Sequence, residues 1–513
     1  MIKPFLAAAA VCIATTGMAQ KKADPSVFAK SITTQDLKKH LSIVASAEME
    51  GRNTPSPGLE KTAEYITAQF KAMGLAPGNN GSYRQTYQLK KDSLTALELT
   101  IDGIKFEAFK DVAPLYTNNE DIQLKYDEYA FVGYGIVDNN RDDYTGLDVK
   151  GKLVVLVSGT PKGFTPSQQG RMASTSMSSK IRNAWQKGAA AVFITTENIP
   201  PFTKNTVGYK PDWENETGPK EAPVFFIGSN VVEKVSNHSY AEMKEALDNG
   251  QVTLQMNQAP VTLNYKLQND KATASNVLGV IEGTDKKDEY LFITAHYDHV
   301  GKDAEGNIYY GADDDGSGTV SVLEMAQAFA LAKKAGKGPR RTIVFMTVSG
   351  EEKGLWGSEY YSEHPVFPLD KTTADLNIDM IGRVDTERET ADTLNYIYVI
   401  GHDKLSTDLP VINEDMNNKY TKLVLDYKFD DPNDQERIYY RSDHYNFARK
   451  GVPILFFYDG MLKADYHKPT DTIEKINFPL MAKRAQMIFY TAWEMANRDE
   501  MLKRDLKLPE QAQ

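Results

Sequence analysis

The sequence predicts an α/β fold, with a mixed, mostly parallel central sheet that has helices on both faces. Three observations support this prediction. Short apolar runs alternate with amphipathic helical patterns through the C-terminal half of the chain. These runs are apolar on both faces, as is typical of parallel strands covered by helices. A segment rich in β-branched residues precedes them, which indicates a second, β-rich domain inserted into the first.

The C-terminal half contains six predicted strands and at least two predicted helices. The strands are "NVLGVIEG", "YLFITAH", "RTIVFMTVSG", "ADLNIDMIG", "NYIYVIG" and "PILFFYDG". Over 319–334, Val320, Leu323 and Ala326 share one face of a helix, and a long helical pattern covers 478–496. In open α/β sheets, ligands bind outside the carboxyl ends of the strands. The functional residues are therefore expected at those ends.

The chain divides into three parts after its first residues. Residues 20–110 are predicted to form the N-terminal part of the main domain, where a helical pattern begins near Leu59 and stops at Gly74. Residues 111–265 contain the runs "KLVVLV" and "AAAVFIT", with a helix predicted in "SSKIRNAWQKGA". They are the predicted inserted domain. Residues 266–513 form the main part of the larger domain.

Residues 1–19 resemble a cleaved signal peptide. Lys3 supplies a positive charge, the stretch 5–14 is a short apolar core, and Ala19 precedes the expected cleavage site. The apolar stretch is too short for a permanent membrane helix. A bulky valine before Cys12 argues against a lipoprotein. We expect a periplasmic or extracellular protein.

The composition narrows the class of protein further. Cys12 is the only cysteine, so the cleaved chain would contain no thiolate nucleophile, no thiolate ligand and no disulfide. A formal net charge of −11 argues against nucleic-acid binding, which needs a basic surface. No later segment has the apolar length of a membrane span. The net charge says little about which peptides the protein would bind.

Clusters of histidine and acidic residues follow the predicted strands. The clusters, in chain order, are His296, Asp298 and His299; Asp313, Asp314 and Asp315; Glu351 and Glu352; Asp379; and His467. Imidazole and carboxylate ligands without thiolates suit a catalytic zinc site with open positions. Hydrolysis at paired metal ions needs a bridging carboxylate and a base, and adjacent glutamates can supply a base and a ligand.

Each cluster on its own has a simpler interpretation. "HYDH" fits a hydrogen-bonded turn, "DDDG" a solvated turn or calcium loop, "EE" a surface pair, and "DYHKPTDT" a loop shaped by proline. An EF-hand is excluded because Val322 occupies the position of its bidentate glutamate. The metal site is favoured because five separate loops place ligand-type residues at the same edge of one sheet.

The ordered motifs resemble those of the two-zinc aminopeptidase family, which also contains glutamate carboxypeptidases, the transferrin-receptor ectodomain and glutaminyl cyclases. The matching motifs are "HYDH", "GADDDGSG", "SGEEKGLWGS", "NIDMIG", "SDHYNF" and "DYHKPTDT". An N-terminal segment typical of the family is present as "IVASAEMEGRNTPSPG", and "FVGYGIVDNNRDDYTGLDVKGKLVVLV" resembles a protease-associated domain. The resemblance implies a zinc aminopeptidase fold with this domain inserted into it.

The resemblance also implies roles for individual residues. His296 and Asp379 would bind one Zn²⁺, Glu352 and His467 would bind another, and Asp314 would bridge the two. Co²⁺ or Mn²⁺ are possible substitutes.

Three further roles follow from the same resemblance. Glu351 would be the general base that takes a proton from the bridging water. Asp298 would orient His296. Tyr439 would stabilise the oxyanion, although Tyr440 beside it makes that alignment uncertain by one residue. His299 and His444 are not assigned as ligands.

The expected function is that of a secreted zinc exopeptidase, an aminopeptidase that hydrolyses the N-terminal peptide bond of peptides with a free N-terminus. A carboxypeptidase or dipeptidase of the same fold is an alternative, because Arg383 and Arg441 lie beside the motifs and could bind a carboxylate. A glutaminyl cyclase is disfavoured by the complete bridging-aspartate and "EE" motifs. A non-catalytic binding module, as among the receptor relatives, would be expected to lack some of the ligands.

Overall fold

The computed structural model describes residues 24–508 except 119, 201–207, 214–220, 237, 390–391 and 432. The predicted signal peptide, residues 1–19, lies outside the described residues. The helices are α1 Ser26–Ala29, α2 Thr34–Val44, α3 Pro57–Met73, α4 Met177–Gln186, α5 Ser229–Ser236, α6 Tyr240–Asp248, α7 Gly318–Lys334, α8 Trp356–Glu363, α9 Asp408–Tyr420, α10 His444–Ala448 and α11 Phe478–Asn497.

The strands are β1 Ala76–Pro77, β2 Arg84–Ile101, β3 Ile104–Phe106, β4 Val112–Tyr116, β5 Ile122–Phe131, β6 Val137–Asp138, β7 Arg141–Asp142, β8 Leu153–Val157, β9 Ala191–Thr195, β10 Tyr209–Pro211, β11 Val224–Ile227, β12 Gln255–Ile281, β13 Lys286–His296, β14 Arg341–Val348, β15 Thr372–Ile378, β16 Tyr396–Ile400, β17 Val424–Asp426 and β18 Ile454–Tyr458. Every strand and helix predicted above is confirmed, with ends that differ by a few residues, except that the strand predicted in "NVLGVIEG" is the C-terminal part of the much longer β12.

Local chemistry explains where the predicted N-terminal helix starts and stops. The hydroxyl of Ser56 accepts a hydrogen bond from the backbone N–H of Leu59, and Pro57 occupies the first turn of α3, where its missing N–H costs nothing. Gly74 ends the helix with a φ of 79°, a conformation that glycine adopts without steric strain. The C-terminal end was predicted from Gly74, whereas the N-terminal signals at Ser56 and Pro57 were not used in the prediction.

The central sheet is mixed and mostly parallel on its C-terminal side, as predicted. The strand order is β17-β16-β18-β15-β13-β14-β12. β13 is parallel to both β14 and β15, and β15 is parallel to β18. The pairs β12–β14 and β16–β18 are antiparallel. The carboxyl ends of β13, β14, β15 and β18 therefore lie at one edge.

Alternate residues of the central strands enter two cores, one on each face of the sheet. Leu291 and Ile293 of β13 pack with residues of α2, α3, α7 and α11. Phe292, between them, packs on the opposite face against Tyr361 of α8 and Phe447 of α10. Burial on both faces explains why these strands are apolar at every position.

The predicted inserted segment forms a sheet that continues from the central one. β12 pairs with β14 near its C-terminal end, with β5 near its N-terminal end, and antiparallel with β2 along most of its length. Beyond β5, the strands β8, β9 and β11 run parallel, and β4 closes the edge. The predicted boundary between residues 265 and 266 falls inside β12, so one strand belongs to both parts. The division into domains stays a prediction.

Arg52 attaches the N-terminal segment to the loop after β13. Its guanidinium is fully buried and donates hydrogen bonds to the carbonyl oxygens of Tyr297 at 2.8 Å, Val44 at 2.9 Å, Tyr310 at 2.7 Å and Gly311 at 2.8 Å. A buried guanidinium is tolerated only when its donors are satisfied in this way. One side chain thereby joins the end of α2 to the loop between β13 and α7, which contains two of the predicted metal-ligand motifs.

A buried histidine–glutamate contact joins α2 to α7. His40 Nε2 lies 3.3 Å from Glu324 Oε1, and both side chains are shielded from solvent. His40 Nδ1 also lies 2.6 Å from the hydroxyl of Tyr65 in α3. Burial raises the pKa of Glu324, and the neighbouring imidazole opposes that shift. Three helices thus meet at one polar contact within an otherwise apolar interface.

Replacing His40 with leucine should destabilise the protein by about 3–5 kcal/mol, because it leaves the Glu324 carboxylate buried without a partner. Urea unfolding followed by tryptophan fluorescence measures the change. The double variant His40→Leu, Glu324→Leu removes both polar side chains and should recover most of the lost stability. Equal stability of the single variant and the wild type would show that the pair is energetically neutral.

In the part of the chain that the structure describes, none of the helices combines the length and the hydropathy needed to cross a membrane.

Candidate metal centre

The five predicted metal ligands and Glu351 lie at the carboxyl edge of the central sheet, as expected. His296 is the last residue of β13, and Asp379 follows the last residue of β15. Glu351 comes three residues after β14, and His467 lies in the loop after β18. Asp314 stands in the turn that leads into α7. The parallel strands bring the four connections that follow β13, β14, β15 and β18 together.

One group of side chains surrounds the imidazole of His296. Its Nε2 lies 3.3 Å from Asp314 Oδ1, 3.5 Å from Asp379 Oδ1 and 3.9 Å from Glu351 Oε2. One ligand atom each from His296, Glu351 and Asp379 lies within 4.8 Å of the others. Such spacing accommodates a cation among the three groups.

A second group lies on the other side of Asp314. His467 Nε2 is 2.8 Å from Glu352 Oε2 and 3.2 Å from Asp314 Oδ2. The two oxygens of Asp314 therefore face different histidines, His296 and His467. That is the placement expected of a carboxylate that bridges two cations.

His299 belongs to this second group, although the sequence prediction did not assign it. Its Nδ1 lies 2.9 Å from Glu352 Oε1 and 3.8 Å from Asp314 Oδ2, and its ring centroid is 5.7 Å from that of His467. One ligand atom each from His299, Asp314 and Glu352 lies within 4.8 Å of the others. The second histidine of "HYDH" was the signal for it, and the contact with Glu352 is its observed role.

Unpartnered polar atoms indicate that these groups fit metal ions. Nε2 of His296, Nε2 of His467 and Oδ2 of Asp314 are buried and lie close to the side chains named above, yet none of these contacts among the described residues has the geometry of a hydrogen bond. Buried polar atoms without partners are rare and costly in folded proteins. Nitrogen and carboxylate donors without thiolates suit zinc, with positions left for water or substrate.

Burial and neighbouring charges shift the pKa values of two central carboxyls in opposite directions. Burial raises the pKa of Glu351 well above its usual range, with further increases from Glu352 and Asp379. Burial alone would also raise the pKa of Asp314, but the imidazoles of His296 and His467 outweigh it and hold that pKa well below its usual range. Glu351 is therefore suited to carrying a proton, and Asp314 to remaining a carboxylate.

Asp298 contacts His296 chiefly through its backbone. His296 Nδ1 lies 3.1 Å from the carbonyl oxygen of Asp298 and 3.6 Å from its Oδ1. The carboxylate also accepts hydrogen bonds from the backbone N–H of Glu351 at 3.2 Å and from the hydroxyl of Thr54 at 3.1 Å. Asp298 thus links the β13 loop, the β14 loop and the N-terminal segment. Its predicted orienting role stays a prediction.

The "SDHYNF" motif supports Asp379. The hydroxyl of Ser442 donates a hydrogen bond to Asp379 Oδ2 at 2.7 Å and accepts one from the side-chain amide of Asn377 at 2.9 Å. His444 is turned away: its Nε2 lies 2.7 Å from the carbonyl oxygen of Tyr439, and burial lowers its pKa to about 3. A neutral, hydrogen-bonded His444 agrees with leaving it out of the ligand set.

Tyr439 is the predicted site residue that the structure does not bring to this cluster. Its buried hydroxyl has no hydrogen-bond partner within the described ranges, and its ring packs against Tyr440, His444 and Tyr445. Ile438, beside it, lines the pocket instead, because residues 438–440 form a single helical turn.

The pocket above the cluster has its own tyrosines. Its lining residues are Asp314, Glu351, Asp379, Met380, Ile438, Arg441, Phe456, Tyr458, Leu462 and Tyr466. Tyr466 stacks on His467 with ring centroids 3.9 Å apart, and burial raises its pKa so that the hydroxyl keeps its proton. Sequence reasoning missed Tyr466 even though it stands next to His467 in "DYHKPTDT".

The predicted inserted segment touches a loop beside this pocket. The backbone N–H of Gln169 donates a hydrogen bond to Gln435 Oε1 at 3.2 Å. Gly170 packs closely on the backbone of Gln435, so that a β-carbon at this position would lie 3.1 Å from its carbonyl oxygen. The contact places residues 169–171 near Arg441, which lines the pocket.

The fold and the metal-type cluster define the class: an α/β protein with a histidine–carboxylate centre at the carboxyl edge of its sheet. Solved structures share this fold. The aminopeptidase from Aneurinibacillus sp. strain AM-1 superposes with a TM-score of 0.56 at 18% identity, over 95% of this chain and 99% of that one. BSAP, a zinc aminopeptidase from Bacillus subtilis, gives 0.55 at 20% identity, over 93% and 99%.

Residues 276–492 match the family model described as Peptidase family M28. The match confirms the predicted resemblance. A probable leucine aminopeptidase from Trichophyton verrucosum is 32% identical over 228 residues, which are 43% of this chain and 57% of that relative. Aminopeptidase YwaD from Bacillus subtilis is 26% identical over 358 residues, or 67% and 66%. The alignment thus spans little more than half of the first of these relatives.

Proposed function

We propose that the protein is a secreted metallo-aminopeptidase that removes the N-terminal residue of peptides with two zinc ions. The observation that carries the proposal is the pair of ligand groups that share Asp314 at the floor of one pocket. The match of residues 276–492 to a peptidase family model and the aminopeptidase relatives support the reaction class. Secretion rests on the signal-like residues 1–19 alone.

The proposed ligands divide between the two groups. His296 and Asp379 would hold one ion, Glu352 and His467 the other, and Asp314 both. When bound, the ions supply positive charge that polarises a peptide carbonyl and lowers the pKa of water. The buried, unpartnered nitrogens of His296 and His467 are the feature of this chain that fits them.

Glu351 would perform the proton transfers. Its carboxyl lines the pocket, and its pKa is raised by burial, which brings it closer to the working pH of a general base. It would take a proton from the attacking water and return it to the leaving amine. The backbone N–H of Glu351 is fixed by Asp298, so the orientation of the base depends on the β13 loop.

Tyr466 replaces Tyr439 in the proposal as the hydroxyl that stabilises the developing oxyanion. It lines the pocket with Glu351 and Asp314, and it keeps its proton because burial raises its pKa. A donor in place before the reaction lowers the barrier without reorganisation. Tyr439 does not line the pocket.

The deciding experiment compares leucine p-nitroanilide with its N-acetylated counterpart, before and after treatment with a chelator. An aminopeptidase should cleave the free substrate, leave the blocked one intact, lose activity with the chelator and regain it with zinc. Cleavage of the blocked substrate, or activity that survives complete removal of metal, would contradict the proposal. The first of these results would favour a carboxypeptidase or an endopeptidase.

A further inference from the structure

The mouth of the pocket contains more basic than acidic side chains. Arg441 lines the pocket and is only 16% exposed. Its Nη1 lies 3.9 Å from Glu436 Oε2, while Lys463 Nζ lies 4.0 Å from Glu436 Oε1. Arg171, from the predicted inserted segment, is the third cation: its pKa is lowered first by burial and next by the nearby charge of Arg441.

These cations are incompletely paired. The guanidinium of Arg441 has five N–H donors, and its one hydrogen bond within the described structure goes to the hydroxyl of Tyr466 at 3.4 Å. Glu436 is the one carboxylate within 4.0 Å of Arg441 or Lys463 among the described residues, and none lies that close to Arg171. Asp434 is a second nearby carboxylate, whose pKa burial raises and the charge of Arg441 lowers. Three positive charges near two carboxylates form a local excess in a chain whose net charge is −11.

An anionic group of the substrate would remove this imbalance. Guanidinium groups bind carboxylates through paired hydrogen bonds, which gives both affinity and orientation. Among the other lining residues of the pocket, Asp314, Glu351 and Asp379 belong to the proposed metal centre, and Met380, Ile438, Phe456 and Leu462 are apolar. Neutral apolar substrates therefore provide a baseline against which the effect of a carboxylate can be measured.

We propose that Arg441 and Arg171 form a subsite for a carboxylate of the peptide, so that preferred substrates carry a carboxylate close to the scissile bond. The inference rests on the proposed peptidase function and specifies its substrate class. Two sources share this chemistry: an acidic N-terminal side chain and the C-terminal carboxylate of a dipeptide. The subsite joins the two parts of the chain, because Arg171 and Arg441 come from different segments.

The test measures kcat/KM for four substrates: leucine p-nitroanilide, glutamate p-nitroanilide, leucyl-glycine and leucyl-glycine amide. The variants are Arg441→Gln, Arg171→Gln and Glu436→Gln, each as the zinc-loaded full chain. Arg437→Gln is the matched control, because Arg437 lies in the same loop, packs over Tyr440 and does not line the pocket.

Arg441→Gln should lower kcat/KM for a carboxylate-bearing substrate about 10- to 100-fold more than for leucine p-nitroanilide, as expected when a charge-assisted hydrogen bond is lost. Arg171→Gln should act in the same direction with a smaller effect, since this arginine is more exposed. Glu436→Gln should raise the same values, because it removes the competing carboxylate. Selective loss on glutamate p-nitroanilide identifies the acidic side chain as the source, and selective loss on leucyl-glycine identifies the C-terminus.

Equal losses on all four substrates would overturn the proposal and would show that Arg441 acts through Tyr466. A selective loss in Arg437→Gln would overturn it too, because any nearby positive charge would then suffice. If Arg441→Gln does not fold, the increase in kcat/KM for carboxylate-bearing substrates that is expected of Glu436→Gln still tests the proposal. A wild-type enzyme that cleaves leucine p-nitroanilide but shows none of these shifts disproves the subsite alone, whereas a wild type inactive on all four disproves the peptidase function.

Discussion

Replacing Glu351 with glutamine is expected to reduce kcat on leucine p-nitroanilide by about 10²–10⁴-fold, the usual contribution of a general base. Glutamine keeps the shape of the side chain and cannot accept the proton. Because His296 and Asp379, rather than Glu351, are the proposed ligands, bound zinc should stay at the wild-type level. Steady-state kinetics and metal analysis by mass spectrometry give the two quantities.

The structure makes this a strict test of the role of Glu351. Its carboxylate lies within 4.8 Å of the ligand atoms of His296 and Asp379, so it is also placed to bind a cation itself. Loss of one zinc together with activity would identify it as a ligand, and unchanged turnover would exclude both roles. Glu359→Gln is the control: this residue lies in α8, nearby in the sequence, and pairs with Arg449 at 3.3 Å on the surface.

Asp314→Ala is expected to have the other large effect, loss of both bound zinc and activity. The carboxylate of Asp314 contacts the imidazoles of His296 and His467 with one oxygen each, and no other described side chain contacts both. Without the Asp314 carboxylate, the His296 group and the His467 group would each lose a ligand, and no shared ligand would connect them. We expect turnover to fall by about 10⁴-fold, at least as far as when the general base is lost.

For Asp314→Ala, metal analysis should show loss of bound zinc, and steady-state kinetics should show the matching loss of turnover. Asp303→Ala is the matched control, since Asp303 lies upstream in the same loop and binds only Asn307 and the backbone near it. Two retained zinc ions in Asp314→Ala would contradict a bridging role. Circular dichroism separates loss of metal from loss of folding.

The sequence predicts most of the fold because the central strands are buried on both faces. Leu291, Phe292 and Ile293 enter opposite cores in turn, which requires the continuous apolar run that is read from the sequence. The metal-type residues are predictable for a related reason. A buried strand must end in a loop, and His296 and Asp379 stand where the apolar runs stop.

Contacts that depend on side-chain direction could not be predicted in this way. Tyr439 stands beside a motif, but the single helical turn around it points Ile438 into the pocket instead. His299 contacts Glu352 because two loops from neighbouring strands meet. Arg171 and Arg441 approach each other across two segments that are distant in the sequence. Sequence patterns carry periodicity and order, whereas these placements arise from tertiary packing.

The buried guanidinium of Arg52 has a consequence for the order of events during synthesis. Its acceptor at Tyr297 lies 245 residues further along the chain. At typical translation rates of 5–20 residues per second, about 12–50 s pass between the appearance of the arginine and that of its partner. For most of this interval the strands of the central sheet from β12 onward, which the N-terminal helices cover, have not been synthesised. Such late, non-local closure slows folding and prolongs exposure of apolar surface. We therefore expect chaperones that hold unfolded chains to bind the nascent protein until its C-terminal half has been synthesised.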